Sequence, residues 1–143
     1  MNNQHPDYQI ALKVLEDMAI AYKAKDMDLM MSLFSTDPDT VLIGSGVDEK
    51  RTGPQEIMEQ FRRDWEQSED NEFNPSNTLI YFSGDIAWIY TDLELKSKIM
   101  ESAHTFDLRF TLVLEKEGDR YLIRHTHISF PCAWQLEGES YPL

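Results

Sequence analysis

The sequence predicts an α+β fold in which three helices pack into a strongly curved antiparallel sheet. Two observations predict it. Apolar residues recur at steps of three and four through the first part of the chain, and from Leu79 onward the period changes to two. The later segments follow one another with turns and no crossover helices, so neighbouring strands should run antiparallel. A length of 143 residues suits a single domain over 1–143, with a core from about 7 to 131 and a tail at 132–143.

Asp7 is placed to cap a first helix whose apolar face is Ile10, Ala11, Val14, Leu15, Met18, Ala21 and Tyr22. Asp26 caps a shorter helix carrying Leu29, Met30, Leu33 and Phe34, and Asp37-Pro38-Asp39 then turns the chain. Val41-Leu42-Ile43, closed by Gly44-Ser45-Gly46, reads as a short strand. Thr52 and Gln55 suggest a capping box for a third helix, with Pro54 in its first turn and Ile57, Met58, Phe61 and Trp65 as its buried stripe. Four strands follow: Leu79 to Phe82, Ile86 to Leu95, His104 to Leu114 and Tyr121 to Phe130. Ser83-Gly84-Asp85 and Glu117-Gly118-Asp119 mark two of the turns, whereas the connection near Met100 to Ala103 carries no clear signal. Strands this long seldom stay flat, so the sheet should bend around the helices.

Charge limits the partners. Twenty-six acidic residues against 13 basic ones give a net charge of −13, which repels phosphate backbones and excludes nucleic acid as a partner. The isolated pair Arg62-Arg63 runs into Asp64, Glu66, Glu69, Asp70 and Glu72, an acidic stretch that reads as a solvated helix end and loop. No apolar run approaches the roughly 20 residues needed to span a bilayer. The polar start, Met1 to Asp7, lacks the basic and apolar regions of a signal peptide, so no membrane association and a cytoplasmic location are expected. Cys132 is the single cysteine, so neither an internal disulfide nor a cysteine metal cluster is available, and no cofactor is called for.

The C-terminal third carries a resemblance. Arg109-Phe110-Thr111-Leu112-Val113, then Gly118, Tyr121, Ile123, His125-Thr126-His127 and Ser129, resembles the final hairpin of SnoaL-like domains in the nuclear transport factor two-like superfamily, with Tyr121 where tryptophan is usual. Asp37 after Leu33-Phe34, and Gly53 before the third helix, fit the same layout. The resemblance implies a conical cavity between the concave sheet face and the helices, and pairing of two subunits through the other face. It fixes no activity, because the superfamily hosts isomerases, cyclases, dehydratases, ligand-binding domains and assembly domains.

Similarity to the calcium/calmodulin-dependent kinase association domain assigns the faces. The cavity side receives Ile86, Trp88, Tyr90 and Asp92, then Phe106, Leu108, Phe110 and Leu112, then Leu122, Arg124, Thr126 and Ile128. The opposite, interface side receives Arg109, Thr111, His125, His127 and Ser129, together with Ala87, Ile89, Thr91, Val113 and Ile123. Under this assignment Asp92 is the candidate acid–base group, its pKa raised by burial, with the Tyr90 hydroxyl as a donor beside it. The alternative is a solvated Asp92 near the strand's end. Trp88, Tyr90, Phe106 and Phe110 either line a pocket for a small apolar ligand, with Leu112, Arg124, Thr126 and Ile128 around them, or fill the cone. Arg124 alternatively forms an ion pair at the sheet rim. His125 and His127 make an H-x-H pair that fits hydrogen bonding across an interface better than a metal site. The carboxylate that serves isomerases as general base has no counterpart in Thr40-Val41-Leu42-Ile43-Gly44, which argues against steroid isomerisation. Two functions stay open: a homodimeric protein that binds or acts on a small, largely apolar molecule, and a non-catalytic dimerisation or regulatory domain. The apolar tail Cys132-Ala133-Trp134-Gln135-Leu136 should bury itself over the dimer seam or the cavity mouth.

Overall fold

The computed structural model describes residues 4–143. Helix α1 (Tyr8–Ala24) buries Ala11, Val14, Leu15, Met18, Ala21 and Tyr22, the stripe that the helical period marks out, while Ile10 stays exposed. It stops where Lys25 turns left-handed at φ 53° and its amide returns to the carbonyls of Ala21 and Tyr22. Asp7 gives this helix no side-chain cap. Its carboxylate instead accepts from Lys116 Nζ at 2.9 Å and Tyr121 Oη at 2.8 Å, pinning the helix start to the last hairpin of the sheet. Asp26 does cap α2 (Met27–Ser32), accepting from the Leu29 amide at 3.0 Å.

Two short strands, β1 (Val41–Ile43) and β2 (Lys50–Thr52), precede α3 (Pro54–Glu66). The expected capping box is absent. Gly53 takes the cap position at φ 86°, where a side chain would meet the Pro38 carbonyl, and the Thr52 amide donates to the Glu56 carboxylate at 3.1 Å. The buried stripe of α3 holds Ile57, Phe61 and Trp65 as expected, with Gln60 in it and Met58 only partly buried.

Four long strands complete the chain: β3 (Glu69–Ser83), β4 (Ile86–Ile99), β5 (Ser102–Glu117) and β6 (Arg120–Ser129). The single six-stranded curved sheet has the order β2-β1-β6-β5-β4-β3. It is not wholly antiparallel, because β1 runs parallel to β6. These two strands lie far apart in sequence, so no hairpin constrains their direction. Strand β3 begins at Glu69, well before Leu79, inside the stretch expected to be helix end and loop. Asn71 and Phe73 alternate inward there while Glu72 and Asn74 face out, a polar alternation that hides the strand. The unmarked connection is a two-residue turn, Met100-Glu101, with both residues at positive φ (51° and 66°) and no glycine. Ladder irregularities between Ser76 and Leu79 on β3, and opposite Val113 and Leu114 on β6, bend the sheet. Leu15, Met30, Ile57, Ile80, Ile89, Leu112 and Ile123 form the solvent-free centre between helices and sheet.

Candidate functional site

Cross-strand pairing decides which side chains face the helices, because directly paired residues share a face. Ile89 pairs with Leu112, Thr91 with Phe110 and Leu93 with Leu108, and all six are buried. The alternate set pairs Trp88 with Val113, Tyr90 with Thr111 and Asp92 with Arg109, and it points outward. The assignment for β5 therefore stands as expected, and that for β4 is inverted: Trp88, Tyr90 and Asp92 leave the cavity side, while Ala87, Ile89 and Thr91 join it. On β6 the extra residue Arg124 shifts the alternation part-way along. Thr126 and Ile128 face inward as assigned, but Ile123 is fully buried and Leu122 lies opposite outward-facing Glu115. Arg124 reaches the rim, ion-paired with Asp37 and with Asp39 at 2.8 Å. Thr111, His125 and His127 share the outer face, and Arg109, paired there with Asp92 and Ser129, donates to the Phe130 carbonyl at 3.0 Å.

The outward position reverses the expectation for Asp92. Tyr90 Oη donates to its Oδ1 at 2.5 Å and Asn77 Nδ2 to its Oδ2 at 2.9 Å. These two hydrogen bonds hold the Asp92 carboxyl below the usual carboxylate range, not above it.

Between sheet and helices lies a cavity of about 330 Å³. Its sheet wall is mostly apolar: Leu93 and Leu95 from β4, Phe106, Leu108 and Phe110 from β5, and Ile128 from β6, with Phe130 at the edge and Ser97 and Thr126 as its hydroxyls. Leu112 belongs to the packed core beyond it, and neither Trp88, Tyr90, Asp92 nor Arg124 lines it. The tail does not cover its mouth. Trp134 and Leu136 are 69% and 68% exposed in the single chain, which overturns burial over the mouth and leaves the dimer seam as their expected cover.

The opposite wall carries a polar group that the sequence reading missed. Gln60 and Asp64 lie four residues apart on α3, on the edge of the Ile57–Phe61–Trp65 stripe, so both turn toward the cavity. Gln60 Nε2 donates to Asp64 Oδ1 at 2.8 Å and to Glu49 Oε1 at 2.9 Å. Arg51 Nε donates to Gln60 Oε1 at 3.0 Å, which fixes the amide with its NH₂ toward the two carboxylates. Glu49 is ion-paired with Arg63 at 3.3 Å and accepts from the Gly46 amide. Its side chain folds over the β1–β2 loop so closely that a Cβ at Gly44 or Gly46 would sit 2.7 or 2.8 Å from Glu49 Oε2. Gly44-Ser45-Gly46 is thus a seat for a carboxylate as well as the end of a strand.

Among the described residues Asp64 has no such ion pair of its own. Burial pushes its carboxyl up to about 6, the Glu49 charge adds to the rise, and the Gln60 hydrogen bond opposes it. The Tyr22 hydroxyl lies 3.4 Å from Asp64 Oδ2, and its own pKa is raised by burial and then by Asp64. A carboxyl that titrates near neutrality on the wall of a mostly apolar cavity is able to hold or move one proton. The signal for it was present in the sequence: Asp64 falls three and four residues after Phe61 and Gln60 on the apolar face, yet it also opens an acidic run.

This architecture, a curved sheet closed by helices around a small cavity, defines a class of cavity-bearing α+β domains. The sequence profile of the SnoaL-like domain matches residues 11–133, and the chain belongs to that family. Solved structures agree on the fold. A protein assigned as a dehydratase of the nuclear transport factor two-like family from Streptomyces avermitilis superposes with a TM-score of 0.81 at 15% identity, over 89% of this chain and 98% of that one. A nuclear transport factor two-like superfamily protein from Salmonella enterica gives 0.81 at 19% identity, over 93% and 96%. A calcium/calmodulin-dependent kinase II association domain homologue from Xanthomonas campestris gives 0.76 at 17%, over 88% of each chain. A comparison with curated protein sequences finds no match.

Proposed function

We propose that this chain binds, and is equipped to act on, a compact and largely apolar molecule held in the cavity with its one polar end at Asp64 and Tyr22. The carrying observation is the half-buried Asp64 carboxyl, raised to about 6 on a wall that faces Leu93, Phe106, Leu108 and Phe110. An ionisable group is costly to bury, and one that serves only stability would be better paired or exposed. The dehydratase assigned among the fold relatives is consistent with proton-transfer chemistry in such a cavity. Asp64 takes the acid–base role first considered for Asp92, and Tyr22 takes that of Tyr90.

Native mass spectrometry of the freshly purified protein tests this reading, beside the variant Leu93→Trp, which fills the cavity. A reproducible adduct on the wild type that is lost in the variant is the expected result. An adduct that survives cavity filling would place the ligand elsewhere and remove the reading.

A second reading concerns the outer face. Trp88 is 39% exposed and stacks on Tyr81, with Leu79 37% exposed beside them. Large apolar groups gathered on one sheet face favour a partner, and a second copy of the chain, paired through this face with Thr111, Arg109, His125, His127 and Ser129, is the proposed one. Trp88→Arg should then convert a dimer to a monomer in sedimentation, and a wild-type monomer at high concentration would end the proposal.

A further inference from the structure

We infer that the ligand of this cavity is a small apolar amine, whose protonated nitrogen sits between Asp64 Oδ2 and Tyr22 Oη. The inference rests on the cavity reading above and names the chemistry of its ligand. Tyr22 is only 8% exposed, yet among the described residues the one hydrogen bond of its hydroxyl is a long one, to Asp64 Oδ2 at 3.4 Å. Ordinary O–H···O bonds span about 2.5–3.0 Å, so a buried hydroxyl and a carboxylate oxygen are joined by a stretched bond that leaves both weakly satisfied. Both groups border the cavity. An ammonium has donors for both, whereas a carboxylate or phosphate would have to approach Asp64 with like charge.

Charge around the pair points the same way. Among the described residues no lysine, arginine or histidine lines the cavity, while Glu49 and Asp64 both do. The nearby guanidinium groups are already engaged and do not line the cavity: Arg63 on Asp48 and Glu49, and Arg51 on Gln60. From α1 the group facing Asp64 is Tyr22, from the β1–β2 loop it is Glu49, and from α3 itself they are Gln60 and Arg63. Two acidic side chains at the cavity thus share one engaged cation, and a ligand cation completes the balance. A ligand hydroxyl would bridge the same two oxygens but would leave the carboxylate charge uncompensated. The apolar sheet wall then takes the hydrocarbon body, and the Tyr22 and Phe61 rings bordering the cavity favour a cation beside them.

Binding of phenethylamine, phenethyl alcohol and phenylacetate to the intact protein, measured calorimetrically at pH 5 and pH 8, separates the cases. At pH 8 the amine should bind roughly tenfold tighter than the alcohol, as a charge-assisted hydrogen bond implies, and the acid least. The amine's advantage should shrink at pH 5, where Asp64 is mostly protonated, since its carboxyl titrates at about 6. Asp64→Asn should abolish both the preference and its pH dependence. Tyr22→Phe, which keeps the ring, should weaken the amine and the alcohol together, since both use the Tyr22 hydroxyl, and leave the amine's preference over the alcohol in place. Equal binding of amine and alcohol, unaffected by Asp64→Asn, would overturn the amine inference and leave the cavity reading standing. Failure of all three probes to bind would overturn both.

Discussion

The two faces of the sheet each present a tyrosine beside an aspartate, and the two pairs behave oppositely. Outside, Tyr90 and Asp92 are two residues apart on one strand and bond at 2.5 Å, with Asn77 adding a second donor. Hydrogen bonding dominates in solvent, and the Asp92 carboxyl is held low. Inside, Tyr22 and Asp64 come from two helices and stand 3.4 Å apart, too far for a strong bond. Burial dominates there, and the Asp64 carboxyl rises to about 6. Residue type alone carries neither outcome. What differs is whether the pair satisfies itself or is held open by the elements that bear it.

The largest test of this contrast lies in the packing that separates the faces. Ile89→Ala, on the inner side of β4, should cost about 2–5 kcal/mol in urea unfolding. Its neighbour Trp88→Ala should cost no more than about 1 kcal/mol of the chain's own stability. A reversed ranking would exchange the faces.

A smaller effect should separate the two aspartates by pH. The folded-state pKa of Asp64, about 6, lies above its unfolded value near 3.8. The native state therefore favours the protonated acid, and the ionised form costs stability that grows as pH rises from 4 through 6. Asp64→Asn should be more stable than the wild type at pH 8, by an order of 2–3 kcal/mol, and indistinguishable from it at pH 4. Thermal melts at the two pH values would show this, and a variant less stable at pH 8 would refute the burial account.

The smallest effect has the opposite sign. The Asp92 carboxyl is depressed, so it contributes stability above its unfolded value, and that contribution is lost as pH falls through the folded one. Asp92→Asn should lower the melting temperature slightly at pH 7, with the difference gone at pH 2. A stabilised variant at pH 7 would place Asp92 in a buried setting after all.

Much of the fold was legible because helices and strands leave different periods. The stripes of α1 and α3, the Asp26 cap and the inner residues of β5 all follow from spacing and apolar pattern. The face of β4 did not, since Ile86, Trp88 and Tyr90 are as apolar as Ala87, Ile89 and Leu93, and alternation then has no preferred phase. The missing constraint was the turn at Met100-Glu101. Had it been recognised as a two-residue hairpin, Ile99 would pair with Ser102, and Asp92 would follow opposite Arg109 on the same face. Its residues carry no glycine or asparagine to announce positive φ. The start of β3 hid in acidic residues, and Asp64 hid with it. The Glu49–Gln60–Asp64 chain joins a loop to a helix by tertiary packing, which no local pattern records.

The extra residue at Arg124 bears on how this cavity can be re-engineered or compared. A strand with one residue to spare works like a gear that skips a tooth: Tyr121 and Ile123 mesh with the core on odd numbers, and Thr126 and Ile128 on even ones. Mutagenesis that randomises every second position of β6 would vary the cavity floor at one end and the outer surface at the other. Deleting Arg124 would restore an unbroken alternation with Tyr121, Ile123, Thr126 and Ile128 all still inward, so it would remove the bulge and its bend and leave both core and floor in place. A relative whose last strand lacks this residue would need a gap there before residues of the two cavities can be equated.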